Sequence, residues 1–431
     1  MRRILQALLY VLAAATLRRH ATVVIGVTGS VGKTTTKDSA AIVLATKYRV
    51  RASAKSYNNE FGLPLTILGE DSPGGSLVGW VALIVRSSAR LLYYRRRSYP
   101  EVLLLEMGAD HPGDLAKLTA LARPKISVVT AIASAHLEFF TSLEEVAKEK
   151  RTLFTVLAKN GVAIMNADDP LVAASVVPDG VRVLSYGFST CDVRAHDVAT
   201  TFERTGETGT SVQVVTSFKV TTGGSTVPVH LYGLMGVPAV TSALAAIAIG
   251  VAMDVTVVDA AHALAGYQGT PGRLRLLPGV RGTTLIDDSY NASPKAALAA
   301  VDVLASVPIV AGQWRWAVLG SMAELGSDTE SGHTSVGEYI VQRGISGLVT
   351  VGERARIIAQ AARKAGMDPH MIFSFAKSTE AGQFLQDRLQ TGDIVLVKGS
   401  QIMRMEHVVK ELLAEPLRAE ELLVRQSPEW Q

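Results

Sequence analysis

The chain has 431 residues, enough for two or three units of roughly 150 residues each. With 48% hydrophobic and 19% charged residues its composition is globular, which excludes a disordered or fibrous protein, and a formal charge of +4 is too small for a nucleic-acid binder. A single cysteine, Cys191, excludes an internal disulfide and fits a reducing cytoplasm.

Residues 1–20 hold Arg2, Arg3, Arg18 and Arg19 and no acid, around the apolar run ILQALLYVLAAATL of 14 residues. That run is shorter than the ~20 residues that span a bilayer. It leads within a few residues into a strand, which argues against a signal peptide. It reads as a helix, either packed on the body of the protein or lying on a membrane surface through an Arg-flanked apolar face. Residues 72–100 form a second stretch without acids, where LVGWVALIV runs into Arg86, Arg90, Arg95, Arg96 and Arg97.

Between these stretches, TVVIGV is a short β-branched strand, TGSVGKTTT a glycine-rich turn and KTTTKDSAAIVLATKY a helix. Such a turn offers backbone N–H groups from Gly29, Ser30, Val31, Gly32, Lys33 and Thr34 at a helix N-terminus, where a phosphate is favoured. Lys33 adds a point charge for the terminal phosphates, the hydroxyl of Thr34 suits Mg²⁺, and Thr35 lies in the same turn. The general phosphate-loop pattern has glycine five residues before Gly32, whereas Val27 stands there, so this is a shortened variant. ATP is the nucleotide expected.

Further apolar strands are EVLLLEMG, ISVVTAI and GVAIMNA, with the helix SLEEVAKEKRTLFTVLA among them, so the first half is α/β with a parallel sheet. Residues 192–232 alternate polar and apolar residues between TGETG and TTGG turns, which predicts a smaller antiparallel region. PAVTSALAAIAIGVAM returns to helix, and YQGTPGR supplies a Gly/Pro hinge. From residue 283 the alternation restarts through LIDDSYNASP, WAVLGSMAELG, SGLVTVG and DIVLVKGS, a Rossmann-like pattern. The expected organisation is a helix at 1–20, a central ATP-binding unit at 21–269 and a Rossmann-like amine-substrate unit at 270–431.

The loop resembles the TGTNGKTTT signature of the Mur ligases, and other segments resemble that family in the same order. They are SYNNEFGLPLTIL, nearly 50 residues from EMGADHPGD to KEKRTLF, LIDDSYNASP, LGSMAELG with His333 after it, and VKGSQIMRMEHVV. Within the family the likeness is greatest to the member that adds D-alanyl-D-alanine to the muramoyl peptide. The resemblance implies an ATP- and Mg²⁺-dependent ligase that activates a carboxylate as an acyl phosphate and passes it to an amine. A muramoyl-peptide-like acceptor and a small amino acid or dipeptide are the implied substrates.

Residue by residue, the resemblance makes Glu106, at the end of VLLLE, a Mg²⁺ ligand and His136 a ligand of a second Mg²⁺. Lys150 matches a lysine that carries a carbamate; by itself it and Lys148 read as solvated helix charges. Asn166, Arg273 and Asp288 match positions around the nucleotide, and the hinge arginine would reach the phosphates when the two units close. Asn58 and Asn59 match the acceptor segment, their other reading being turn-forming residues, and Lys398 and His333 match substrate positions of the second unit.

Two departures stand out. About 20 residues precede the first strand, where the family's usual member has a UDP-gripping domain. LMGVPAVTSALAAIAIG has Pro238, Ala239 and Ser242 where the family commonly has His-Asn and a later Asn, so the adenine side differs. A monomer at the cytoplasmic side, touching the inner face of the membrane through the basic apolar segments, is the expectation. A ligase that makes polyglutamate or another amino-acid polymer is the alternative enzyme, and a nucleotide-binding, non-catalytic partner of another ligase the alternative from a different class.

Overall fold

The computed structural model describes residues 2–53, 57–93, 99–133, 139–140, 142–205, 211–426 and 430. His136 and Arg95 to Arg97 lie outside the described residues. In chain order, helix α1 (Arg2–Arg19) precedes β1 (Val23–Thr28), α2 (Lys33–Ala45), β2 (Val50–Ala52), α3 (Gly62–Leu68) and α4 (Leu77–Tyr93). There follow β3 (Val102–Glu106), α5 (Asp114–Leu121), β4 (Ile126–Val129), α6 (Leu143–Thr155), β5 (Val162–Asn166), α7 (Pro170–Ala173) and β6 (Arg182–Gly187). β7 (Val193–Thr205), β8 (Ser211–Thr222) and β9 (Ser225–Tyr232) complete a nine-stranded sheet of order β2-β3-β1-β4-β5-β6-β7-β8-β9.

The strands from β2 to β7 pair in parallel, and only β7–β8 and β8–β9 are antiparallel. The sequence explains the difference. VLLLE, ISVV and VAIMN are buried at every position, as strands covered by helices on both faces must be. β9 alternates exposed and buried residues toward its end, the pattern of a strand with one wet face.

Helix α8 (Gly236–Ala252) packs on one face of the sheet beside α2, and α1, α3 and α4 cover the other. On α1, Leu9 and Ala13 are fully buried in that second layer while Ile4 and Val11 stay exposed. The N-terminal segment is therefore packed on the protein by one face and open on the other. Among the described residues no helix is long and apolar enough to cross a membrane.

After α9 (Val257–Ala265), residues 267–273 run to the second sheet. It consists of β10 (Arg275–Pro278), β11 (Thr284–Asp288), β12 (Arg315–Gly320), β13 (Gly347–Val351), β14 (Ile372–Phe375) and β15 (Ile394–Lys398), in the order β10-β11-β15-β12-β13-β14. Only β10 is antiparallel. Helices α10 (Pro294–Ser306) and α11 (Thr329–Gln342) lie over one face with Ala297, Val301 and Val336 in the core. In both sheets the parallel strands end on the same kind of edge, where ligand sites of α/β proteins form.

Candidate active site

The turn between β1 and α2 is built by two glycines in backbone conformations that other residues avoid, Gly29 at φ 146° and Gly32 at φ 84°. A Cβ on Gly29 would lie 2.1 Å from Thr130 Oγ1, so the loop is seated directly on the end of β4. Thr130 fixes it by donating its hydroxyl to Val31 O at 2.6 Å. No side chain caps α2 at Gly32, which leaves the first N–H groups of that helix for an anion. The Ser30 N–H donates to Ala131 O at 2.7 Å, and Ser30 Oγ donates to Ala133 O at 3.0 Å, so Ser30 anchors the loop.

Lys33 Nζ donates to Gly29 O at 2.7 Å, folded back across the loop. Burial pushes its ammonium below the ordinary lysine value, and Arg273 pushes the same way against the opposing pull of Glu106. Three sequence-predicted positions thus share one electrostatic environment although Arg273 is remote in sequence.

Glu106 is the junction of the site. It is buried at the end of β3, where it accepts from Thr34 Oγ1 at 3.0 Å through one oxygen and from Asn58 Nδ2 at 3.3 Å through the other. Its carboxylate therefore joins the phosphate loop to the segment read as the acceptor loop. A hydroxyl and a carboxylate beside a phosphate nest form the hard oxygen set that suits Mg²⁺, which takes one or two carboxylates and completes its shell with substrate phosphates and water. Among the described residues there is no group of three His, Cys, Asp or Glu that could hold a metal ion.

Lys150 lies on the buried face of α6. Burial, reinforced by the charge of Lys33, brings its amine down to about 7. Its helix is started by Ser142, whose Oγ accepts from Glu145 N at 3.3 Å. Glu149, next along, accepts from the N–H groups of Gly113 and Leu115, both at 2.8 Å, and so ties α6 to the start of α5.

Other predicted residues have partners that sequence could not reveal. Asn59 Oδ1 accepts from the N–H groups of Phe61 and Gly62 at 3.1 and 2.9 Å, so that amide caps α3. Asn166 Nδ2 donates to Thr130 O at 2.8 Å while its Oδ1 accepts from Asp168 N at 3.0 Å, shaping the loop after β5. Lys398 and Asp288 face each other on adjacent strands and form a buried ion pair at 2.6 Å, with Lys398 also donating to Asn291 O. His333 accepts from Met322 N at 3.0 Å through Nε2, which leaves Nδ1 to donate to Thr329 O at 2.6 Å. Fully buried and with both nitrogens engaged, His333 holds the loop after β12. Arg273 stacks its guanidinium 4.0 Å from the centre of the Tyr290 ring.

Sequence reading missed a second group, which links the sheets. Thr270 donates to Asp38 Oδ2 at 2.6 Å and meets the Tyr267 hydroxyl at 2.7 Å, so α2 holds the hinge. Asp38 pairs in turn with buried Lys37 at 3.1 Å, and Lys37 donates to Ser53 O at 2.6 Å. Asp287 accepts from Gly272 N at 3.0 Å and from the Ser289 hydroxyl at 2.6 Å, and its burial pushes it up to about 6. Lys295 on α10 reaches Asp169 at 3.5 Å, from the second sheet's side across to the first. Only the KD pair after KTTT could have signalled any of this, by standing one helical turn beyond Lys33.

Comparison with known proteins follows the same plan. The family description "Mur ligase middle domain" matches residues 27–74 and 88–250, and "Mur ligase, glutamate ligase domain" matches residues 272–401. The UDP-N-acetylmuramoyl-tripeptide–D-alanyl-D-alanine ligase of Bacillus subtilis is 32% identical over 407 residues, which are 94% of this chain and 79% of that protein. The Escherichia coli protein of the same name is 33% identical over 393 residues, covering 90% and 76%. Among solved structures, MurF from Thermotoga maritima in complex with ADP is similar with a TM-score of 0.74 and 27% identity, over 94% of this chain and 83% of that one.

Proposed function

The chain belongs to the Mur ligase family, and on that footing we propose that it joins D-alanyl-D-alanine or a close relative to the free carboxylate of a muramoyl tripeptide, at the expense of ATP. It is an ATP-dependent ligase that forms C–N bonds. The observation that carries the finer reading is Glu106, which holds Thr34 of the phosphate loop and Asn58 of the acceptor loop on its two oxygens.

The acceptor carboxylate attacks the γ-phosphoryl of ATP, giving an acyl phosphate and ADP; the amine then attacks the acyl carbon, loses a proton and expels phosphate. Most of the work is placing charge against charge. The uncapped amides of α2 and the ammonium of Lys33 hold the phosphates, and Thr34 and Glu106 would hold Mg²⁺, which neutralises charge on the transferring group. Arg273, held at the hinge beside Tyr290, adds a cation from the second sheet as the two approach. Lys398 orders the facing edge through Asp288.

A carbamate on Lys150 belongs to the same reading. Its support is the amine at about 7, since a neutral amine is the form that adds to CO₂. Contact with the inner face of the membrane also belongs to it, supported by exposed Ile4, Val11, Val78 and Val85 beside Arg18 and Arg86.

Phosphate release, measured with ATP, muramoyl tripeptide and D-alanyl-D-alanine and with each omitted in turn, tests the proposal. Release is expected only with all three present, or weakly without the amine. Release indifferent to the acceptor would sink it.

A further inference from the structure

Between α1, α3 and α4 lies a cavity of 810 Å³, open to the surface and within the ~300–1,000 Å³ range of ligand sites. None of its lining residues is charged. Leu5, Leu8, Trp80, Val81 and Ile84 form the helical walls, and the remaining wall includes Tyr57 and Phe61 of the acceptor loop. That loop turns its polar atoms inward on itself. The Tyr57 hydroxyl accepts from Ser72 N at 3.1 Å and Asn59 Oδ1 accepts from Phe61 N and Gly62 N, so the rings of Tyr57 and Phe61 are the loop's apolar contribution to the space. Trp80 is pinned by its own donation to Gly74 O at 3.0 Å.

Asn58, one residue from this wall, reaches Glu106 at the phosphate-transfer site. The acceptor loop therefore divides two compartments, a charged one for the reacting carboxylate and an apolar one with no ionic partner to offer. Outside the cavity, α1 and α4 lie alongside each other with their C-terminal ends tied by Arg19 donating to Leu92 O at 3.3 Å. Val11, Val78 and Val85 on their outer faces, and Ile4, Leu8 and Val81 at the cavity mouth, recur at helical spacing and are 44–79% exposed where a folded surface would normally cover them. Neither helix contains an acid, while Arg3, Arg18, Arg19, Arg86 and Arg90 stand at their exposed margins. Glu70 pairs with both Arg86 and Arg90, so one of those two charges is left uncompensated. Such a rim complements an anionic lipid headgroup.

Resting on the ligase reading above, we propose that the acceptor is lipid-linked, its muramoyl peptide facing Glu106 and its hydrocarbon chain, joined through phosphate, entering the α1–α4 cavity. The cavity excludes a charged nucleotide tail and accepts a chain rising from a bilayer leaflet against the exposed faces of the two helices.

The test uses the full chain and two acceptors with the same tripeptide, one linked to a polyprenyl chain in mixed micelles and one linked to UDP. The proposal expects kcat/KM at least tenfold higher for the lipid-linked acceptor, and V81E, at a half-exposed wall position, is expected to lower that ratio tenfold. V81E that still turns over both acceptors but leaves the ratio in place would overturn the assignment, as would equal rates for the two acceptors in the unmodified protein; if V81E loses both rates through misfolding, the comparison of acceptors and the titration below, both on the unmodified protein, decide. Binding is read independently of turnover by Trp80 emission on titration with farnesyl phosphate, with W80F to assign the signal and inorganic phosphate as the control. A saturable response to farnesyl phosphate alone, weakened tenfold by V81E, supports the cavity even where neither acceptor releases phosphate, an outcome that would instead refute the ligase reading. Binding to anionic vesicles that V81E abolishes without changing the acceptor ratio would show a bilayer-docking face only and overturn the substrate assignment.

Discussion

Lys150 concentrates what burial does at the scale of a residue. An amine at about 7 is largely neutral just above that pH and protonated below it, since burial disfavours the charged form. With ¹³C-labelled CO₂, a carbamate resonance is therefore expected at pH of about 8 and should fade toward about 6, and K150A should lack it at every pH. Activity should fall over the same interval. A resonance that persists unchanged in K150A would contradict the assignment. Gly29 is the complementary case, where backbone geometry decides. Its φ of 146° and the 2.1 Å approach of a Cβ to Thr130 Oγ1 mean that G29A must displace the hydroxyl that holds Val31. ADP affinity, measured calorimetrically, should drop by about 5- to 160-fold, the fold-change that follows from strain of order 1–3 kcal/mol. The phosphate loop was legible in sequence because its glycines, lysine and threonines are contiguous. His333 and Lys398 were legible as residues, but their partners were not, because only the fold brings Thr329, Met322 and Asp288 against their polar atoms.

At the scale of elements, strands buried on both faces declared themselves as unbroken apolar runs, and the helices after them by their period. β6 and β14 did not, because RVLSYG and IFSF are partly exposed and too short or too polar to stand out. The hinge is the element whose energetics sequence left open. Its hold on α2 is the Thr270 hydroxyl, shared between Asp38 and Tyr267 over a separation of 232 residues from the aspartate. T270V keeps the shape and removes the donor, leaving Asp38 and Tyr267 short of a partner. A loss of about 1–2 kcal/mol is expected from the shift of the denaturant midpoint at constant slope. An unchanged midpoint would show that the link contributes nothing.

For the whole molecule, two sheets bring their ligand edges together with Glu106 and Lys33 on one side and Arg273 and the Asp288–Lys398 pair on the other. Lys295 and Asp169 join the same two sides at a second point. These pairings link residues far apart in the chain, and the fold alone brings them together. The family resemblance supplied the expectation of carboxylate activation; the geometry adds that one carboxylate, Glu106, connects the phosphate loop at Thr34 with the segment that holds Asn58. Transfer of the γ-phosphoryl to the acceptor carboxylate is the claim on which the rest depends. An acceptor labelled with ¹⁸O in that carboxylate tests it, with the released phosphate analysed by mass spectrometry. One ¹⁸O atom should appear in each phosphate formed alongside ADP. Unlabelled phosphate, or label carried into AMP with pyrophosphate as the other product, would contradict the account.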